Sequence, residues 1–201
     1  MSEAVILDFA ALEPEPTLAH RRIRIVSRGL AWLFTGLLAL AALFVALMAA
    51  AFLTPLVGRY VGIGPTGMLL ASLPRMPPHY LAIADMPLTQ RLAHMPVGLI
   101  NFGPILVLFF SLRRLFGLYA EGVVFAAENA RCIRWVGIAL IANAVAPGLG
   151  VLFLTSLNLV IDHQWLHASS VQELVLGAVV YVIAQVMQVG HEIEEERSQI
   201  I

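Results

Sequence analysis

Lysine is absent from this chain, cysteine occurs once, and charged residues of both signs fill only 12% of its 201 positions. Each shortage excludes something. A soluble domain carries roughly a quarter charged residues, so a water-soluble fold of this composition would expose large apolar patches. With Cys132 alone there is no intramolecular disulfide and no CxxC site. The net charge of −1 leaves no footprint for direct nucleic-acid binding. There is no G-x-S-x-G elbow, no H-E-x-x-H pair and no phosphate-cradling glycine loop. No catalytic residue, metal or cofactor is therefore assigned, and the expectation is a protein that is not an enzyme.

What is plentiful is apolar sequence: 60% of residues are hydrophobic, and the mean hydropathy is +0.86. Residues 29–58 contain no charge. A bilayer core is about 30 Å thick, and about 20 helical residues cross it. Four spans follow from the hydropathy, at about 29–55, 96–112, 135–160 and 171–190. Only helices and closed barrels satisfy the backbone in lipid, and these runs are too long and continuous for barrel strands. The expected fold is all-α, an integral membrane protein of four transmembrane helices. Residues 1–20 form a flexible cytosolic segment and 21–201 the membrane domain. The acidic start (Glu3, Asp8, Glu13, Glu15) and the long first apolar run suit an anchor better than a secretory signal.

Arginine placement predicts the orientation. With the N-terminus inside, the inner side holds Arg21, Arg22, Arg24, Arg28, Arg113, Arg114, Arg131, Arg134 and Arg197; the outer side holds Arg59, Arg75 and Arg91. Both termini are expected inside, on the cytosolic face of the membrane. The outer segment 59–95 is rich in Pro and Gly and predicts a connector without long helix; a ligand-sensing loop is the functional alternative. On the inner side the second helix should continue to about Tyr119, break at Gly122 and resume near Ala126. Pro104 suggests a kink in the second helix; Pro147, with Gly148 and Gly150, predicts a kinked third helix. Gly36, Ala39, Ala41 and Ala42 permit close helix approach. A homo-oligomer is kept open among the partners.

The polar residues singled out inside the spans are Asn101, Ser111, Asn143, Thr155, Asn158, Gln185 and Gln188, none of them charged. An ionisable residue at the midplane marks proton or ion pathways, so its expected absence argues against a proton-coupled carrier. The amides are expected to bond between helices. His79, His94, His163 and His167 fall outside the membrane, with His163 and His167 four apart beside Asp162. Solvated histidines are the plainer expectation, and no metal is assigned. Cys132, between Arg131 and Arg134, is expected to be a small interfacial residue rather than a redox sensor.

The end of the chain is acidic where acid is disfavoured. Glu192, Glu194, Glu195 and Glu196 follow the last span, at the negative end of a helix dipole. Two compensations are open: Arg113, Arg114, Arg131 and Arg134 from within, or a basic partner from outside.

The stretch LFGLYAEGVVFAAENARCIRWVGIALI and the closing VGHEIEEERSQII resemble a bacterial four-helix membrane family, domain of unknown function 2975. The matching positions are Tyr119, Gly122, Phe125, Asn129, Arg134, Gly137, Glu195 and Glu196, and the resemblance covers roughly residues 29–201. Where the family often has Ser or Thr after the Phe, this chain has Ala126, a poor helix cap. The resemblance implies no enzyme activity. It implies a membrane component that senses or modulates a cytosolic helix-turn-helix transcriptional regulator. The expected docking residues are Tyr119, Gly122, Phe125, Asn129, Arg131, Arg134, Glu192, Glu194, Glu195 and Glu196. The alternative is an accessory subunit of a transporter or a small-molecule permease.

Overall fold

The computed structural model describes residues 18–64, 67–70, 77–123, 126–159 and 168–198, with side chains from 21 to 193 except at 67 and 68. Helix α1 spans Leu18–Leu53. It stops because Pro55 offers no N–H and pushes Thr54 into an extended conformation (φ −121, ψ 129). A short α2, Pro55–Gly58, leads into a hairpin of β1 (Val61–Gly64) and β2 (Gly67–Leu70). The two-residue strand β3, Leu81–Ala82, pairs antiparallel with the other side of β1, giving the order β2-β1-β3. A 3-10 turn, Ile83–Asp85, delivers the chain to α3, Leu88–Glu121. Helices α4, Ala127–Ser156, and α5, Ala168–Ser198, complete the described fold.

Four segments are long and apolar enough to cross a membrane: Arg21–Leu53, Leu88–Glu121, Ala127–Ser156 and Ala168–Ile193. The chain is a multi-pass membrane protein of the all-α class. Large apolar side chains point outward along these helices, among them Leu40, Leu152 and Val186 at 63%, 64% and 67% exposure. In water that would be a fault. In lipid it is the expected surface, because hydrocarbon gives apolar side chains no reason to hide.

The long helices pack in the order α1–α3–α4–α5, and α1 does not pack substantially on α4 or α5. They form a row with two edges, α1 and α5. Phe34 of α1 stacks on Phe116 of α3 (5.6 Å, 6° between planes), and Phe44 meets Phe102 edge-on at 5.0 Å. Rising numbers in α1 meet falling numbers in α3, so the two run antiparallel.

A buried apolar core lies at one end of the row. Met48, Ala51 and Phe52 of α1 pack with Val61 of β1 and Ile83 of the 3-10 turn; Phe44, Val57, Ile63 and Met95 surround them. Gly58 lets α2 turn back here, since a Cβ would stand 2.8 Å from the Ala51 carbonyl oxygen. The connector expected for 59–95 is thus a small sheet-capped lid on α1 and α3, with no long helix among its described residues before Leu88.

Several details depart from expectation. Helix α3 begins at Leu88 rather than near 96, and it runs unbroken through Pro96 and Pro104. Membrane helices tolerate proline because neighbouring groups re-satisfy the freed carbonyls. Helix α4 contains Pro147, the position of the expected kink, without a break in the helix. Gly148 and Gly150 are buried packing positions, and a Cβ on Gly150 would meet Val97 Cγ1 of α3 at 2.8 Å. The close approach expected at Gly36 is absent: nothing described lies within 4 Å of its would-be Cβ. It occurs instead between Gly137 of α4 and Gly177 of α5, where added Cβ atoms would meet the opposing backbone at 2.8–2.9 Å.

Candidate functional site

Two constellations carry polar chemistry. The first is the α3–α4 turn. Gly122 ends α3 in the left-handed conformation (φ 92). Its N–H donates to the Tyr119 carbonyl at 3.1 Å, and the Val123 N–H donates to Leu118 at 2.9 Å. This is a Schellman stop, which satisfies the last helix carbonyls and which glycine enters without steric cost. Asn129, fully buried in the first turn of α4, reaches back and donates its amide to the Val123 carbonyl at 2.8 Å. Its Oδ1 finds no donor among the described residues. Ala126 precedes α4 and makes no side-chain cap, so the amide of Asn129 supplies the local tie.

Charge surrounds this turn. Arg114 Nη2 lies 3.6 Å from Glu128 Oε1, both side chains about half exposed. Such a pair contributes at most about 1 kcal/mol. Arg24 of α1 lies over the turn, where a Cβ on Gly122 would meet its Nη2 at 2.7 Å. A cation beside the C-terminus of α3 suits the helix dipole. Tyr119 packs edge-on against Phe116 at 6.1 Å, and Cys132 is buried. Arg131 is exposed and Arg134 half-buried. Glu192 accepts from Gln188 at 3.2 Å on its own helix and makes no ion pair with a described residue. Phe125, and the side chains of Glu194, Glu195 and Glu196, lie outside the described residues.

The second constellation was not expected. Asn143 Nδ2 of α4 donates to Glu173 Oε2 of α5 at 2.7 Å. Glu173 falls within the expected span 171–190 and is bonded to a residue of α4, so the expectation that the spans hold no charged residue is overturned. Depth follows from arithmetic. Thirty residues make α4 about 45 Å long, and Asn143 stands about 24 Å from its first residue. A core of about 30 Å that α4 crosses fully contains that point wherever the helix sits along its axis. The signal was present in the sequence, since Glu173 falls within 171–190. It is the third residue of that span, and a position so close to the boundary says nothing of a partner on another helix.

The other polar residues are local. Thr155 bonds the Val151 carbonyl of its own helix, and Ser111 is buried. Asn101 faces α4 near Gly150, and its Oδ1 has no partner among the described residues. Gln185 is half-buried on α5. His94 is buried, not solvated, and is hydrogen-bonded to the Gln90 carbonyl at 2.8 Å. Asp162, His163 and His167 lie outside the described residues; among the described residues no group of three or more metal-ligating side chains occurs. A cavity of about 450 Å³ opens between α3, α4 and α5, lined by apolar side chains and Tyr181.

No curated protein and no solved structure matches the chain. The family model described as Protein of unknown function (DUF2975) matches residues 76–201, which takes in the last three long helices, the α3–α4 turn and the acidic tail. Since that is more than half of the sequence, the chain belongs to this family.

Proposed function

We propose that this protein is a non-enzymatic component of a bacterial cytoplasmic membrane that docks a cytosolic helix-turn-helix transcriptional regulator. Both termini face the cytosol, as the arginine bias suggests. The docking face comprises the α3–α4 turn and the acidic end of α5. The observation that carries this reading is Glu192: an exposed carboxylate near the negative end of α5, without a described cation, on an edge helix. DNA-binding domains present basic surfaces that complement such a tail. Gly122 and Asn129 act here as builders of the turn, while Arg131 and Glu192 offer the exposed charge.

The test is crosslinked purification from native membranes, comparing the wild-type chain with a variant carrying Gln at 192, 194, 195 and 196. A DNA-binding protein should co-purify with the wild type and be lost from the variant, with membrane insertion unchanged. Equal recovery, or no such protein, sinks the reading. A reporter fused at residue 80 should be active only outside the cytosol, and fusions at 120 and 201 only inside.

A second reading has its own support. The Asn143–Glu173 pair is the kind of intramembrane carboxylate that marks transport pathways. It favours an accessory subunit of a transporter if the regulator is not found.

A further inference from the structure

The basic residues of α1 lie apart from the acidic tail. They sit on opposite edges of the helix row, and α1 packs on α3 alone among the long helices to any substantial extent. Arg21, Ile25, Arg28 and Trp32 are spaced i, i+4, i+7 and i+11, which places them on one stripe of the helix. All four are exposed, Ile25 at 64% and Trp32 at 72%. Arg24 lies within 60° of Arg28 around the helix axis by the same geometry, its guanidinium held against the α3–α4 turn at Gly122. None of the three arginines makes an ion pair with a described residue.

Two depths are combined on this stripe. Trp32 belongs at the membrane–water boundary, where indoles concentrate. Arg28 lies about 6 Å and Arg21 about 16 Å farther along the helix, in and beyond the headgroup layer. An exposed isoleucine between two exposed arginines suits neither bulk water nor hydrocarbon. It suits the interface, where guanidinium groups reach phosphate and apolar side chains meet acyl carbon.

We propose that Arg21, Arg24 and Arg28 form a binding face for the phosphate headgroups of anionic phospholipids, with an acyl chain lying against Ile25 and Trp32. Charge complementarity selects the headgroup, and a planar guanidinium suits phosphate oxygens. The stripe lies outside residues 76–201, and the inference does not depend on the regulator reading above.

Trp32 is a built-in reporter. The full chain, carrying Trp135→Phe and Trp165→Phe, is reconstituted in phosphatidylcholine with brominated phosphatidylglycerol or brominated phosphatidylcholine. Quenching of Trp32 should report a preference of about fivefold or more for the anionic lipid, on the scale expected for a few arginines near a charged surface. The preference should vanish in the Arg21→Gln, Arg24→Gln, Arg28→Gln variant and persist in Arg59→Gln. Should the triple variant fail to insert, wild-type arginines are tested by salt, and the preference should shrink as ionic strength rises to about 1 M. Equal quenching by both lipids overturns the proposal. So does Trp32 shielded from both, which would mean that a second copy of the chain covers the stripe.

Discussion

Asn143 holds Glu173 across the α4–α5 contact through a hydrogen bond of 2.7 Å, in the middle of a membrane-spanning helix. An acid at this depth costs free energy that a purely apolar α5 would not. The amide offsets part of that cost and ties an edge helix to the row. Along α4, no titratable side chain follows Arg134 before the helix ends at Ser156; along α5, none but Glu173 precedes Tyr181. The amide is therefore the polar group that the α4–α5 contact supplies to this carboxylate.

Removing one partner should expose the pair's worth. Asn143→Leu strips the carboxylate of its donor, and Glu173→Gln retains a hydrogen-bonding group. A double-mutant cycle of Asn143→Leu with Glu173→Leu, on unfolding in detergent micelles, should give a coupling of about 1 kcal/mol. Glu173→Gln alone should leave stability close to wild type. A coupling of zero would mean that the two side chains act independently.

The Gly137–Gly177 crossing should tolerate no side chain. A Cβ at either position meets opposing backbone at under 3 Å, and backbone cannot swing away as a side-chain tip can. Gly137→Val and Gly177→Val should each separate α4 from α5 and lower the melting temperature. Gly29→Ala and Gly190→Ala, with open space around the would-be Cβ, are the matched controls. Thermal unfolding followed by circular dichroism distinguishes the two sets.

At Gly122, conformation and space act together. The left-handed φ of 92 disfavours any Cβ by about 1–2 kcal/mol, and Arg24 Nη2 occupies the space a Cβ would take. Gly122→Ala should destabilise the turn. Adding Arg24→Ala should recover the steric part and leave the conformational part. Protease sensitivity of the α3–α4 connection reports both.

The sheet-capped end should respond as a packed core does. Phe52 is 1% exposed among Val61 and Ile83, whereas Leu56, four residues on, is 76% exposed. Phe52→Ala should cost about 3 kcal/mol or more, in the range of large core truncations. Leu56→Ala should change stability by under about 0.5 kcal/mol. Equal effects would show that the lid is not packed onto α1.

What was legible in the sequence was local. Thirty uncharged residues from 29 to 58 demand lipid whatever else the chain does. Gly122 ends a helix because its own backbone can turn left-handed, and the helices on either side stop and start within a residue or two of the expected places. Ala126 reads as a weak cap and makes no cap bond. The hairpin of Val61–Gly64 with Gly67–Leu70 was not legible, because glycine- and proline-rich sequence signals turns without saying which short strands will pair.

The sequence by itself determined the solvent and the number of long helices, since hydropathy and length are properties of single segments. Only the tertiary structure decided which helices touch. Nothing within the span 171–190 ties Glu173 to Asn143, 30 residues away, which is seen to bond it. Arg24 reads as one inner arginine among nine until it is found over Gly122. The acidic tail and the α1 arginines lie at the same end in any four-span drawing, yet the row order places them on opposite edges. Such relationships depend on backbone approach between specific helices, as at Gly137 and Gly177, and the hydropathy of a single segment carries no information about its neighbours.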